Sequence, residues 1–310
     1  MPVQPDIQEI LDMMDELGLP ALETMDAPSA REFSLSMSSK RPPGPDVAEI
    51  TDGTFPGAQG DLGYRLYRPH HGEQLPVVVY FHGGGWVLGS HTADDPLCRD
   101  LAVRTGALVL SVDYRHGPEN RFPAAPDDAL SAVRWAADNI ASLGGDPARI
   151  AVCGWSAGGN LAAVVCQRVR DEGGPDLCGQ VLMTPVTDAD FSRQSYVDNA
   201  EGYVLTTGLM RWFWDKYLEL ERRSDPMASP IQATTLADLP PALVITCEYD
   251  VLRDEGAAYA ETLAKAGGVA TRRHFQGHLH TSPGMVDSAP STSDVRAAAA
   301  EGLKQFLGLV

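Results

Sequence analysis

Nowhere does this chain stay apolar for the ~18 residues that a membrane-crossing helix needs. Positive charge is scarce: 24 Lys and Arg stand against 42 Asp and Glu, a formal net charge of −18. Nucleic-acid phosphates and anionic membrane surfaces would repel such a chain, which excludes both as partners. Cysteine is sparse too. Cys98, Cys153, Cys166, Cys178 and Cys247 are far apart and odd in number, with no C-x-x-C. They read as reduced, buried thiols rather than a disulfide framework or a zinc knuckle. Residues 1–19 lack a leader pattern: a secretory signal opens basic and turns apolar, whereas this segment carries Asp6, Glu9, Asp12, Asp15 and Glu16. The expected location is therefore the cytoplasm. Internal repeats and low-complexity tracts are also missing.

What is present is a large reserve of apolar side chains, 44% of 310 residues, which rules out a disordered chain and can fill a sizeable core. Ile7, Ile10, Leu11, Met14 and Leu17 recur at helical spacing and predict an amphipathic helix that must cover something. Pro42-Pro43-Gly44-Pro45 then breaks the chain. Residues 47–69 predict a hairpin-like strand pair. Short apolar runs follow at 75–81, 107–112, 149–153, 180–184 and 241–246, the pattern of strands buried on both faces of a parallel sheet. Helical stretches at 127–142, 159–170 and 254–266 alternate with them, and 272–275 and 293–307 predict the last strand and helix. Strands alternating with helices predict an α/β fold with a doubly wound, mostly parallel sheet. Residues 188–230 interrupt the alternation with an aromatic-rich segment, including a helix at 209–218. The expected organisation is N-terminal cap helices in 1–45, a core in 46–187 and 231–310, and a cap insertion in 188–230.

Two glycine-rich stretches carry the chemistry. Gly154-Trp155-Ser156-Ala157-Gly158 fits G-x-S-x-G between a strand and a helix, the setting in which a serine is lifted onto a sharp turn above the sheet. His82-Gly83-Gly84-Gly85 ends an apolar strand run and can point bare N–H groups at a developing oxyanion. The expected donors are Gly83, Gly84 and Ala157. Trp86 follows the second stretch and Trp155 lies within the first, and both are candidates for the pocket wall.

A serine nucleophile needs a base, and the base needs a partner that fixes its tautomer. Asp250 follows a strand and is the favoured acid over Glu248 and Asp254, the latter being more simply a helix N-cap. His278 and His280 both follow the last strand, and residue chemistry alone does not separate them. His278-x-His280 has no third ligand at a supporting spacing, so no metal is expected.

Together these residues resemble the hormone-sensitive-lipase-like family of α/β-hydrolases, in its bacterial carboxylesterase branch. The resemblance runs from about residue 75 to the C-terminus. It rests on His82-Gly83-Gly84-Gly85-Trp86, Asp113-Tyr114-Arg115, Pro118-Glu119, Phe122-Pro123-Ala124, the serine motif and Asp250-Val251-Leu252-Arg253-Asp254-Glu255-Gly256. It implies an α/β-hydrolase fold with a helical cap and no cofactor. It also implies a small-molecule ester substrate, an acyl-enzyme formed on Ser156, and Asp250 as acid. Its G-x-x-H pattern, with Gly277 in place, selects His280 over His278. The chain is acidic and has no long apolar exposed helix to hold it at a lipid surface, which adds an expectation of short-chain acyl esters. An amidase or lactone hydrolase with the same triad, and a non-catalytic receptor on the same fold, are the alternatives; the resemblance also allows a homodimer through the sheet edge. Two departures stand out: Trp155 where the family has Asp or Thr, and Thr281-Ser282 where it has Gly and an aromatic. Arg115 and Glu119 read as structural, and Gly117-Pro118 and Phe122-Pro123 as candidates for cis bonds.

Overall fold

A computed structural model describes all 310 residues. The strands are β1 (Glu49–Gly57), β2 (Gly60–Arg68), β3 (Leu75–Phe81), β4 (Leu108–Val112), β5 (Gly145–Trp155), β6 (Gln180–Met183), β7 (Ala242–Tyr249) and β8 (Ala270–Leu279). They form one sheet in the order β1-β2-β4-β3-β5-β6-β7-β8. Pairing is antiparallel from β1 to β2 and from β2 to β4, and parallel across the rest. The helices are α1 (Pro5–Glu16), α2 (Ala27–Ser38), α3 (Asp95–Thr105), α4 (Ala124–Asn139), α5 (Ala157–Glu172), α6 (Gln194–Asp198), α7 (Thr207–Tyr217), α8 (Arg253–Lys265) and α9 (Ser293–Phe306).

The run of apolar residues in β3 is buried along its whole length because both faces of the sheet are covered. Val77, Val79 and Phe81 belong to one core together with Leu161 of α5, Val133 of α4 and Leu263 of α8. Val78 and Tyr80 belong to a second core, together with Leu101 of α3 and Leu303 of α9. Side chains alternate across a strand, so one uninterrupted apolar run feeds two cores. Each aliphatic side chain fully buried there contributes roughly 1.5–3 kcal/mol.

The predicted boundaries shift in places. The last strand extends to Leu279 rather than stopping at 275, because its edge position exposes Arg272, Arg273 and His274 and hides the apolar pattern. Periodicity did not single out α2, which Asp26 caps by accepting from Ser29 N–H at 2.8 Å. Both anticipated X-Pro bonds, Gly117-Pro118 and Phe122-Pro123, are cis.

Candidate active site

Strand register brings the candidate residues to one edge of the sheet. Tyr249 of β7 pairs with Leu279 of β8, so the residues that follow them, Asp250 and His280, leave the sheet side by side. Phe81 of β3 pairs with Gly154 of β5, so the glycine run and Ser156 emerge next to each other. In a parallel sheet the carboxyl ends of the strands form one crevice, and the site lies there.

Ser156 occupies the turn between β5 and α5 with φ +58° and ψ −118°. Such a conformation costs on the order of 1–3 kcal/mol and persists only where neighbours enforce it. Here the Ser156 N–H donates to Met183 O at 2.9 Å, and Ser156 O accepts from Asn160 N–H at 3.0 Å and Val186 N–H at 3.2 Å. A side chain at Gly158 would put its Cβ 1.9 Å from Phe81 O, which is why the motif needs glycine there.

His280 Nδ1 lies 3.0 Å from Asp250 Oδ2. A carboxylate only accepts, so Nδ1 carries the proton and Nε2 keeps its lone pair. Asp250 Oδ1 accepts from Leu252 N–H at 2.9 Å, which orients the carboxylate, and Asn199 Nδ2 donates to the Asp250 backbone carbonyl at 3.1 Å, which holds the main chain beneath it. Ser156 and His280 line the same cavity of about 170 Å³. The hydrogen bond that the His280 ring makes is to Asp250 and not to Ser156; a nucleophile–base contact is often long until the Michaelis complex forms.

The competing residues are engaged elsewhere. Glu248 accepts from the N-terminal ammonium at 2.9 Å and from Gly277 N–H at 2.7 Å. Asp254 accepts from Ser195 N–H at 2.8 Å. The His278 ring lies against Gln276 O and Ser291 O and does not line the cavity. His274 sits on β8 with its Nδ1 3.1 Å from Thr246 Oγ1.

The glycine run is arranged differently from the expectation. The Gly83 N–H points at Asp94 Oδ2, 3.3 Å away, and the same oxygen accepts from Tyr80 Oη at 2.8 Å. The N–H groups of Gly84, Gly85 and Ala157 have no acceptor within the chain. Gly83 is therefore the donor already committed, and Gly85, which the sequence reading passed over, is a free one. Three consecutive glycines give no sequence signal for which N–H a distant carboxylate will claim. Gly84 has φ +116°, and a Cβ on it would lie 2.3 Å from Leu88 O.

Trp86 is likewise corrected as a pocket wall. It is fully buried, stacked on Tyr217 with ring centroids 4.1 Å apart, and lies outside the cavity lining. Its place is taken by Phe213 of α7 and by Leu205 and Leu209. Trp155 does line the cavity, and its Nε1 donates to His280 O at 3.1 Å. Ser34 and Ser38 of α2, with the exposed Arg41, close the opposite side.

Behind the cavity, Glu255 of α8 accepts from Thr187 N–H (2.7 Å), Asp188 N–H (3.3 Å) and Tyr196 Oη (3.0 Å). It thereby ties the start of residues 188–230 to the core. Burial outweighs those bonds and pushes its carboxyl up to about 8. One set of side chains has metal-ligand chemistry: a nitrogen each from His82 and His116 and an Asp113 oxygen lie within 4.8 Å of one another, outside the triad. No helix is long and apolar enough to cross a membrane.

This geometry can be set beside known proteins. A family model described as alpha/beta hydrolase fold matches residues 78–283. Carboxylesterase NlhH of Mycobacterium tuberculosis is 40% identical over 309 residues, covering 96% of this chain and 93% of that protein. Ethyl acetate hydrolase of Pseudomonas putida is 34% identical, covering 99% of this chain and 100% of that protein. Among solved structures, the ester-hydrolase EH1AB1 from the metagenome of Lake Arreo, in complex with a bipyridine phosphonate derivative, superposes with a TM-score of 0.94. It is 38% identical, with 99% of each chain covered. The esterase of the archaeon Pyrobaculum calidifontis superposes with a TM-score of 0.90 at 40% identity, again covering 99% of each chain. On sequence and on fold, the chain belongs to the α/β-hydrolase family, in its hormone-sensitive-lipase-like branch of carboxylic ester hydrolases.

Proposed function

We propose that this chain hydrolyses small esters of short acyl chains through Ser156, His280 and Asp250. The observation that carries the reading is the His280–Asp250 hydrogen bond of 3.0 Å beside a serine held at φ +58°, both opening on one cavity. His280 Nε2 takes the Ser156 proton as Oγ attacks the ester carbonyl. The Gly84, Gly85 and Ala157 N–H groups receive the oxyanion, while Gly83 N–H stays with Asp94 and braces the loop. Asp250 stabilises the imidazolium, which then protonates the leaving alcohol. Water, activated by the same histidine, releases the acid from Ser156.

Two features support a short acyl chain. The cavity of about 170 Å³ is close to the ~150 Å³ that suffices for benzene in an apolar site. Phe213, Trp155 and Leu209 then bound it with bulky side chains. Residues 1–45 and 188–230, which supply Ser38, Leu205 and Phe213 to the lining, act together as a cap. The ethyl acetate hydrolase of P. putida, by its name, acts on an ester of this size.

The test is hydrolysis of p-nitrophenyl esters from acetate to palmitate by the native chain, Ser156→Ala and His280→Ala. Turnover that falls with acyl length and is lost in both variants is expected. Substantial turnover surviving in Ser156→Ala would overturn the assignment of the nucleophile, and a maximum on palmitate would overturn the short-chain reading.

A further inference from the structure

Behind the oxyanion loop lies a group of side chains that ester hydrolysis does not use. His82 is fully buried, and its Nδ1 lies 2.7 Å from Gly83 O. A carbonyl oxygen only accepts, so Nδ1 carries the hydrogen and a neutral His82 presents a lone pair at Nε2. That nitrogen is buried without a hydrogen-bond partner, and the group it faces is Asp113 Oδ1, 3.7 Å away. Two acceptors thus oppose each other across a gap. His116 Nε2 is also buried without a partner, and the ligand atoms of all three residues lie within 4.8 Å of one another.

From this we infer that His82, Asp113 and His116 bind a divalent transition-metal cation, best matched by Zn²⁺. One cation between them satisfies both orphaned nitrogens and replaces the acceptor–acceptor opposition with ligation. Two imidazoles and a carboxylate suit zinc, whereas calcium and magnesium take oxygen donors. Zinc bonds nitrogen and oxygen at about 2.0–2.2 Å, so tetrahedral ligands stand roughly 3.4 Å apart. The His82–Asp113 separation of 3.7 Å is within a few tenths of an ångström of that. The surroundings already orient the carboxylate. His91 Nδ1 lies 3.1 Å from Asp113 Oδ2, and the His91 backbone N–H donates to Oδ1 at 3.2 Å, leaving a lone pair on Oδ1. Asp113 and His91 are partly exposed, which provides a route of entry and room for a water as fourth ligand. A protonated His82 paired with Asp113 is the competing arrangement, and it leaves the buried His116 Nε2 unanswered.

The site would act on the loop rather than on the ester. His82 immediately precedes Gly83, and Asp113 and His116 follow β4, so a bound ion ties the oxyanion loop to the neighbouring strand end. Binding and stability are therefore the readouts, independent of the triad assignment.

The experiment uses the full chain, treated with a chelator, dialysed and titrated with ZnCl₂ by calorimetry, with melting temperature and the visible spectrum after CoCl₂ addition as companions. The expected result is one equivalent bound, a raised melting temperature, and Co²⁺ absorption showing nitrogen ligation. His116→Leu and Asp113→Asn should each weaken Zn²⁺ binding about tenfold or more, since losing even the groups that orient metal ligands costs that much. His278→Ala should leave it unchanged. Should His116→Leu fail to fold, Asp113→Asn decides alone, because it keeps the shape of the side chain. Absence of saturable binding, or equal affinity in the folded variants, would overturn the site.

Discussion

The indole Nε1 of Trp155 donates to the backbone carbonyl of His280 at 3.1 Å, which joins the residue before the serine to the residue proposed as its base. Thr184 Oγ1 donates to the same carbonyl at 3.3 Å. At this position, where the family has Asp or Thr, Trp155 puts a bulky ring in place of a small polar side chain. The fold uses the bulk as one wall of the cavity and recovers a polar contact from the indole. Trp155 is thus a positioning residue for His280.

Trp155→Phe keeps a ring and removes the donor. A neutral hydrogen bond contributes about 0.5–1.5 kcal/mol net, so kcat should fall roughly two- to tenfold with KM little changed. Steady-state kinetics on a short ester check this; an unchanged kcat would mean that Thr184 holds the loop alone.

The glycine run separates by substitution. Gly84→Ala places a Cβ 2.3 Å from Leu88 O at a residue with φ +116°, and should cost on the order of 10² or more in kcat by displacing an oxyanion donor. Gly83→Ala meets nothing closer than 3.3 Å, and its N–H serves Asp94, so it should lose far less. Melting temperatures alongside kcat distinguish lost catalysis from lost folding. Equal losses in the two variants would return Gly83 to the oxyanion hole.

Phe213→Ala should lengthen the acyl chain that the enzyme accepts, because the ring lines the cavity and is almost wholly buried. The same truncation should cost about 3–5 kcal/mol of stability. A chain-length profile with a denaturant titration measures both, and an unshifted profile would place the acyl group elsewhere.

Glu255 makes stability depend on pH. Its carboxyl titrates at about 8 when folded, against 4.5 for an ordinary glutamate. Between those values the folded chain holds a proton that the unfolded chain has released, so this residue's contribution to stability declines as pH rises from 4.5 through 8. Glu255→Gln, which keeps an acceptor for Thr187 N–H, should flatten that decline in melting temperature. An equal slope in the variant would assign it to other groups.

Legibility differs from residue to residue. Ser156 was readable because the turn it occupies demands small neighbours at fixed offsets, and the steric cost at Gly158 is local. Asp250 was favoured by its place after a strand, whereas His280 was nameable only through family resemblance, since nothing within its own segment distinguishes it from His278. What separates them is the Tyr249–Leu279 pairing, a register between strands distant in sequence. Trp86 misled for the same reason: a tryptophan beside the glycine run is equally good as wall or as core, and α7 decided by stacking Tyr217 on it.

The sequence by itself determined the class of the fold, the turn that carries the serine and the loop that offers bare N–H groups, because these follow from hydrophobic periodicity and from backbone sterics within a few residues. Only the tertiary structure decided which glycine N–H groups stay free, which aromatic side chains bound the cavity, and how His82, Asp113 and His116 come together. Those depend on side chains that meet across strand ends, where distance along the chain carries no information about distance in space.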